Sequence, residues 1–293
     1  MIIDFHVHLT TVKGMERQFR ENGKDSLSRL HFPRFMTLTR EREGKTSREE
    51  WVRAAEKFGV DRIVLNACDA LNEELLEWVT QDPGHFSGLL YCNPVLRESL
   101  SEIEHLVGPG KLAGIGEISP TWEHYSLTDE RIFPFYDRAQ ELQIPILWHF
   151  GVGFFPFGDL HYSRPYELES ILRLFPKIPH AIAHLGMEHA EQFLSLANWM
   201  KEWFQIPIYF DLASIKDIPK YFLVKITLKD LIARFLDVLG PEQILWATDS
   251  GQPYESSPFE TETFRSLEAL KLEGRKMDLI LGDNAARLLR LKT

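Results

Sequence analysis

Cysteine is scarce in the chain: Cys68 and Cys92 are the only two among 293 residues. Two cysteines do not supply the disulfide framework of a small secreted domain, and there is no CxxC motif that would bind a metal through thiolates. The sequence also begins without the basic and apolar regions of a secretory signal. We therefore expect a cytoplasmic protein, and we interpret both thiols as buried and inert.

Long apolar runs and an excess of positive charge are also absent. No window approaches the roughly 18 uninterrupted apolar residues of a membrane span. The formal net charge of −10 argues against wholesale binding to nucleic acid or to an anionic membrane, because both need a basic face. We therefore expect a small-molecule substrate and no nucleic-acid or membrane partner, and the sequence leaves a homodimer open.

Several common catalytic and nucleotide-binding motifs are missing as well. Gly114-Ile115-Gly116 is followed three residues later by Ser119, where a dinucleotide-binding loop has a third glycine. The sequence has no GxxxxGK phosphate loop, no HExxH zinc motif and no GxSxG nucleophile elbow. The chemistry must therefore come from residues that lie far apart in the sequence.

Short β-rich runs alternate with amphipathic helical patterns along almost the whole chain. Runs rich in Ile, Val and Leu predict strands at residues 2–7, 62–66, 87–93, 113–118, 146–149, 180–184, 208–212 and 244–247. The first helix is predicted to begin after a capping box at Ser47 and Glu50 and to end at Gly59. Further helices are predicted near 72–80, 99–107, 129–142, 166–175, 190–203, 228–239, 261–270 and 284–291.

Such an alternation fits either a closed (β/α)8 TIM barrel or a doubly wound open sheet. Eight predicted strands favour the barrel, in a single domain that spans residues 1–293. The connections that follow strands are the long ones, above all residues 9–46 after the first strand and residues 150–165 after the fifth. Barrels build their active sites from the loops at this end of the strands.

The most informative residues lie where the predicted strands end. His6 and His8 end the first strand, and the period of two places both imidazoles on its inward side. The other strand-end residues are Glu117, His149, His184 and Asp249. Imidazole and carboxylate together suit Zn²⁺ or a similar divalent ion. Three interpretations of Glu117 remain open: it could bind the metal, orient a histidine or pair with a nearby Lys or Arg. His180, at the other end of its strand, is interpreted as structural.

In order along the chain, these residues resemble the amidohydrolase superfamily, and more closely its amidohydrolase-related TIM-barrel branch. That branch includes aminocarboxymuconate-semialdehyde decarboxylase and many predicted metal-dependent hydrolases. The resemblance covers nearly the whole chain and rests on these motifs: DFHVH at 4–8, GIGEI at 114–118, single histidines at 149 and 184, YFDL at 209–212, ILWATDS at 244–250 and ILGDNAARLL at 280–289.

The resemblance implies one divalent ion, of the Zn²⁺ type, with a catalytic imidazole and a catalytic carboxylate beside it. The implied ligands are His6, His8, His149 and Asp249, and the implied catalytic residues are His184 and Asp249. In the TatD-like deoxyribonuclease branch, the strand-four glutamate bridges two ions, which would make Glu117 a bridge and His149 and His184 ligands of the second ion. That branch continues GEIGLD where this chain has GEISP, which favours a single ion.

The implied activity is hydrolysis of an amide, lactone or ester in a small carboxylate-bearing substrate, with the ion activating a water molecule. A non-oxidative decarboxylase is the alternative within the same branch, and a catalytically silent barrel that acts as a binding partner is the alternative of another class. Trp122 and Phe154 are predicted to wall an apolar pocket. Arg34, in the basic 9–46 segment, is a candidate for clamping the substrate's carboxylate, although a solvated charged loop is the better explanation for any single basic residue there.

Overall fold

Eight parallel strands form one sheet in which each strand pairs with the next along the chain. The strands are β1 Ile3–Leu9, β2 Arg62–Ala67, β3 Phe86–Leu90, β4 Gly114–Ile118, β5 Ile146–Trp148, β6 His180–Ile182, β7 Ile208–Asp211 and β8 Ile244–Leu245. The computed structural model describes residues 1–9, 16, 20, 29–30, 32–33, 36–37, 47–67, 71–151 and 158–291.

Backbone hydrogen bonds join the first strand to the segment that follows the last one. The amide of Phe5 donates to the carbonyl of Trp246 at 3.2 Å, and the amide of Asp249 donates to the carbonyl of His6 at 2.8 Å. A third bond of 2.8 Å runs from His8 to the carbonyl of Ser250. The sheet therefore closes into the predicted (β/α)8 barrel, and the open doubly wound sheet is excluded.

Helices surround the barrel in the predicted alternation. Within residues 47–67, 71–151 and 158–291 they are α1 Arg48–Phe58, α2 Asn72–Gln81, α3 Glu98–Leu106, α4 Pro120–Glu123, α5 Phe133–Leu142, α6 Pro165–Leu174, α7 Ala190–Phe204, α8 Leu228–Leu239, α9 Glu262–Glu268, α10 Arg275–Asp278 and α11 Asn284–Leu288. The predicted capping box is present, since Ser47 and Glu50 each accept a hydrogen bond from the other's backbone amide. Gly59 ends the helix with a φ of 72°, a conformation that glycine adopts without steric cost.

A change of register in β1 decides what faces the barrel interior. Ile3 and Phe5 pack inside the barrel with apolar residues of the other strands. Val7 packs outside it, against the layer of helices. The pairing of β1 with β2 shifts register between Asp4 and Val7, and this irregularity turns the two histidines that flank Val7 inwards. The first half of β1 thus contributes apolar side chains to the barrel core, and the second half contributes polar side chains to the barrel interior.

Three strands end two or three residues earlier than the sequence predicted, where the chain turns towards the barrel mouth. β3 ends at Leu90, β6 at Ile182 and β8 at Leu245, two or three residues before the predicted ends at 93, 184 and 247. His184 and Asp249 therefore lie on the loops just beyond their strands. Among the described residues, no helix is long and apolar enough to cross a membrane.

His180, predicted to be structural, lies in the core at the start of β6. It is 0% exposed, and its Nδ1 accepts a hydrogen bond of 3.0 Å from the indole nitrogen of Trp148. Burial lowers the pKa of His180 from 6.5 to about 3. In the pH range between these two values, the unfolded chain binds a proton here that the folded chain does not, so stability falls as the pH falls.

We expect this one residue to remove about 2 kcal/mol from the free energy of unfolding between about pH 7 and pH 5. His180→Asn should lose correspondingly less stability over that interval, because asparagine offers an acceptor to Trp148 and does not titrate. Urea unfolding at several pH values measures the difference. The exposed His105→Asn variant should keep the wild-type slope, and equal slopes for all three proteins would contradict the prediction.

Candidate metal centre

All six predicted strand-end residues meet at the carboxyl ends of the strands. His6 and His8 come from β1 and Glu117 from β4. His149 follows β5 directly, and His184 and Asp249 follow β6 and β8. Their side chains lie within hydrogen-bonding or ion-pairing distance of one another, although up to 243 positions separate them in the sequence. The closed barrel brings them together.

Four of these side chains form a compact group, namely those of His6, His8, Glu117 and Asp249. Nε2 of His6 lies 3.1 Å from Nε2 of His8, and each is 3.5 Å from Oε2 of Glu117. Oδ1 of Asp249 is 3.0 Å from the nitrogen of His8 and 3.8 Å from that of His6. Ligands about 2.05 Å from a tetrahedral Zn²⁺ lie about 3.3 Å apart. The atoms of His6, His8 and Glu117 therefore have the spacing of ligands of one divalent ion, and Asp249 lies close to both histidines.

The other oxygen of Glu117 faces a second group. Oε1 lies 2.7 Å from Nδ1 of His149 and 3.3 Å from Nε2 of His184. These three residues also have the spacing of metal ligands. His149, which the resemblance grouped with His6 and His8 in the one-ion arrangement, lies beside His184, as in the alternative two-ion arrangement, and Glu117 stands between the two groups.

Glycines on β4 permit the close approach of the glutamate strand to its neighbour. A Cβ atom on Gly116 would lie 2.7 Å from the Cβ of Leu147, and one on Gly114 would lie 2.7 Å from the ring of Pro145. Gly116 also has a φ of 150°, which disfavours any side chain. The GxG pattern, which does not belong to a nucleotide-binding loop, is therefore needed for close packing between strands. This packing places Glu117 in the barrel mouth.

A left-handed backbone segment positions His184. His184, Leu185, Gly186 and Met187 have φ values of 55°, 53°, 86° and 54°, and all four are buried. Three of the four are not glycine, so the surrounding structure must impose this conformation. The amide of His184 donates to Asp211 at 2.7 Å, and its ring Nδ1 lies 2.9 Å from the carbonyl of Ala213. These contacts leave Nε2 directed at Glu117.

The electrostatics of the cluster follow from carboxylates and imidazoles buried side by side. Burial opposes ionisation of Glu117, but the imidazoles of His149 and His6 outweigh it and hold the pKa of the carboxyl well below its usual range. Burial lowers the pKa of His6, yet Glu117 and Asp211 raise it well above 6.5. In the same way, the pKa of His184 rises to about 9 against the effect of burial. The carboxylates of the cluster therefore stabilise positive charge on the imidazoles of His6 and His184.

Two residues of the cluster remain partly accessible and mark its open side. The side chains of His8 and Asp249 are 25% and 21% exposed, whereas the other four residues of the cluster are at most 5% exposed. Burial opposes ionisation of Asp249, but hydrogen bonding from His8 and the charge of His184 keep its pKa below the usual range. An ionised carboxylate thus lies at the open edge.

Of the three predicted substrate contacts, Trp122 lies beside the cluster. Its ring centroid is 4.1 Å from that of His149, and the side chain is buried. Nε2 of His149 is itself buried and has no hydrogen-bond partner in the part of the chain that the structure describes. Phe154 and Arg34 lie outside the described residues.

Two further buried carboxylates, Asp4 and Asp211, contact the predicted residues or the loops that carry them. Neither had a role assigned from the sequence. Asp4 accepts hydrogen bonds from the amide and hydroxyl of Thr248 and from the hydroxyl of Tyr254, at 2.6 to 2.9 Å. These bonds hold the loop that carries Asp249. Asp211 contacts His6 and the backbone of His184. Asp211 ends β7, so the strand-end rule that singled out Asp249 could have found it.

Comparison with known proteins extends over the whole barrel. A family model described as amidohydrolase matches residues 3–291. None of the curated proteins is similar enough in sequence to match the chain.

Several solved structures share the fold at low sequence identity. The chain is similar to a manganese-bound 5-carboxyvanillate decarboxylase from Novosphingobium aromaticivorans, with 14% identity, 99% and 97% of the two chains covered and a TM-score of 0.74. It is similar to a probable 2-pyrone-4,6-dicarboxylic acid hydrolase from Acinetobacter baumannii, with 12% identity, 99% of each chain covered and a TM-score of 0.62. It is also similar to a zinc-bound amidohydrolase from Burkholderia multivorans, with 11% identity, full coverage of both chains and a TM-score of 0.66.

Zn²⁺ binding should release protons from the cluster. The raised pKa values of His6 and His184 mean that both imidazoles carry an extra proton at neutral pH when no ion is present, and a ligand nitrogen must give that proton up. We expect about one or more protons released per ion near pH 7 and an affinity that increases as the pH rises towards 9. Calorimetry in buffers of different ionisation enthalpy measures the release, and a binding enthalpy independent of the buffer would contradict it.

Proposed function

Because the chain belongs to the amidohydrolase family, a family of enzymes, we propose that it is a metal-dependent hydrolase that cleaves an amide, lactone or ester in a small carboxylate-bearing molecule. The observation that carries this proposal is the ligand-like spacing of His6, His8 and Glu117, with Asp249 close to both histidines at the accessible edge. Nitrogen and carboxylate donors in this number suit Zn²⁺ or Mn²⁺.

We propose that Glu117 is shared between two ion positions. His6, His8 and Asp249 would complete the first, and His149 and His184 the second. The division of the two Glu117 oxygens between the two groups supports this arrangement over the single ion that the sequence favoured. With one ion only, His184 would instead remain protonated and donate a hydrogen bond to a substrate oxygen.

When bound, such an ion lowers the pKa of a coordinated water from 15.7 towards about 7 and polarises a carbonyl oxygen. Asp249 is ionised and accessible, so its carboxylate can accept a proton from the attacking water and return it to the leaving group. The buried imidazoles exclude bulk solvent from the inner side of the site, and Trp122 covers His149. A substrate must therefore approach along the edge formed by His8 and Asp249.

Decarboxylation is a second candidate, favoured by the similarity to 5-carboxyvanillate decarboxylase. In that reaction the bond from carbon to the carboxylate breaks and the carbon takes up a proton, so a protonated side chain must face it. His184, with a pKa of about 9, has the proton that this step needs. Both neighbours with a stated substrate act, by name, on carboxylic acids, which supports a carboxylate-bearing substrate in either case.

Metal content should depend on Glu117. We expect protein reconstituted with Zn²⁺ and freed of loosely bound metal to retain about two ions per chain, and Glu117→Gln to retain at most one, because its amide nitrogen cannot serve as a ligand. Elemental analysis measures the content. Glu167→Gln is the matched control, since Glu167 also accepts a backbone amide but lies outside the cluster. A wild-type content of one ion would refute the shared position, and no retained ion would refute the metal-dependent mechanism.

A substrate panel separates the two activities. We expect the metal-loaded enzyme to hydrolyse lactones or esters that carry a second carboxylate, and Asp249→Asn to lower kcat by about 10²- to 10⁴-fold. Acid release measures hydrolysis, and a coupled assay for CO₂ on hydroxylated aromatic acids measures decarboxylation. The exposed Asp237→Asn variant on α8 should keep wild-type rates. CO₂ release without hydrolysis would replace the first proposal by the second.

A further inference from the structure

Asp211 is the buried carboxylate at the end of β7, and its two oxygens hold two different parts of the cluster. Its side chain is 0% exposed. Oδ2 lies 2.9 Å from Nδ1 of His6. Oδ1 accepts the backbone amides of His184 and Ala213 at 2.7 and 3.1 Å. Both oxygens are thereby engaged on one side of the metal-ligand cluster.

The contact with His6 decides which ring nitrogen of this histidine can bind an ion. A neutral imidazole has one N–H and one lone pair, and a carboxylate can only accept. The proton must therefore lie on Nδ1, facing Asp211, and the lone pair on Nε2. Nε2 is the atom that faces His8 and Glu117 at 3.1 and 3.5 Å. Carboxylate partners orient metal-binding histidines in this way.

The second oxygen acts on the backbone that carries His184. The hydrogen bond to the His184 amide holds the first residue of the left-handed segment, and the bond to Ala213 holds the carbonyl that contacts Nδ1 of the same histidine. Loss of this oxygen would release both the segment and the ring. One carboxylate thus connects a ligand of the first ion position with the histidine of the second.

We propose that Asp211 is a positioning residue that fixes the Nδ1–H tautomer of His6 and so makes Nε2 available as a metal ligand. The proposal rests on the metal centre proposed above and adds a residue that does not touch the ion. Asp211 has the spacing of a ligand relative to His6 and His184, but its oxygens already receive three N–H groups. The alternative is that Asp211 serves the backbone alone.

Asp211→Asn separates these two roles. The amide keeps one oxygen, which can still accept from His184 and Ala213, so the backbone is held. Its NH₂ group then replaces Oδ2 and faces His6, which must offer the Nδ1 lone pair and move its own proton to Nε2. The reverse orientation of the amide is disfavoured, because it would place the NH₂ group against two backbone N–H groups.

Zn²⁺ affinity, measured by competition with a chelating dye, is the first readout. We expect Asp211→Asn to bind Zn²⁺ about 10- to 100-fold more weakly than the wild type, the range found when such partners are removed. Its thermal unfolding without metal should stay close to that of the wild type. Asp211→Ala should lose both affinity and stability, because it also removes the backbone anchor. Glu167→Gln, which alters a carboxylate remote from the cluster, should leave the affinity unchanged.

The proton on His6 is the second readout and needs no metal. In metal-free protein with ¹⁵N-labelled histidine, at a pH high enough for the His6 imidazole to be neutral, the wild type should show an exchange-protected Nδ1–H of His6 that Asp211→Asn lacks. Wild-type affinity in Asp211→Asn, or retention of that Nδ1–H, would overturn the proposal. So would a loss of metal-free stability in Asp211→Asn as large as in Asp211→Ala. Failure of the wild type to bind Zn²⁺ would instead refute the metal centre, and the Nδ1–H signal would still test Asp211.

Discussion

The buried carboxylate of Glu117 is the constraint on which the arrangement of the site depends. Its side chain is 2% exposed, and an ionised carboxylate so far from water costs several kcal/mol unless groups of opposite charge or hydrogen-bond donors surround it. Four imidazoles, from three different strands or the loops after them, meet its two oxygens. The glutamate is therefore compatible with folding only in a barrel whose strand ends converge.

That requirement explains why so much unfavourable local structure is tolerated around it. Four consecutive left-handed residues, His184 to Met187, and the left-handed Asp249 at a φ of 63° lie in or next to the cluster. Each of these residues except Gly186 costs energy that packing and hydrogen bonds elsewhere must offset. The strained residues thus lie at one end of the barrel. This is typical of a fold whose stable core holds a few side chains in a fixed arrangement.

The strand periodicity and the polar residues at strand ends were sufficient to predict the barrel and the six residues of the cluster, because both signals are local in sequence. These local signals did not decide which residues of the cluster lie next to one another. Whether His149 lies with His6 or with His184 depends on how far neighbouring strands are staggered, which is a property of the closed sheet. The left-handed backbone at His184 is likewise imposed by tertiary contacts, among them Asp211, and no glycine marks its first residue.

The hydrogen bonds that close the barrel have a consequence for the order in which the molecule is assembled. The amide of Asp249 donates to the carbonyl of His6, and the amide of Thr248 donates to Asp4, so the first and last residues of the cluster are fixed against each other. Asp249 follows His8 by 241 residues in the sequence, so the strand that carries the two histidines is synthesised long before this partner. The six side chains of the cluster can therefore come together only after the chain has been synthesised past β8.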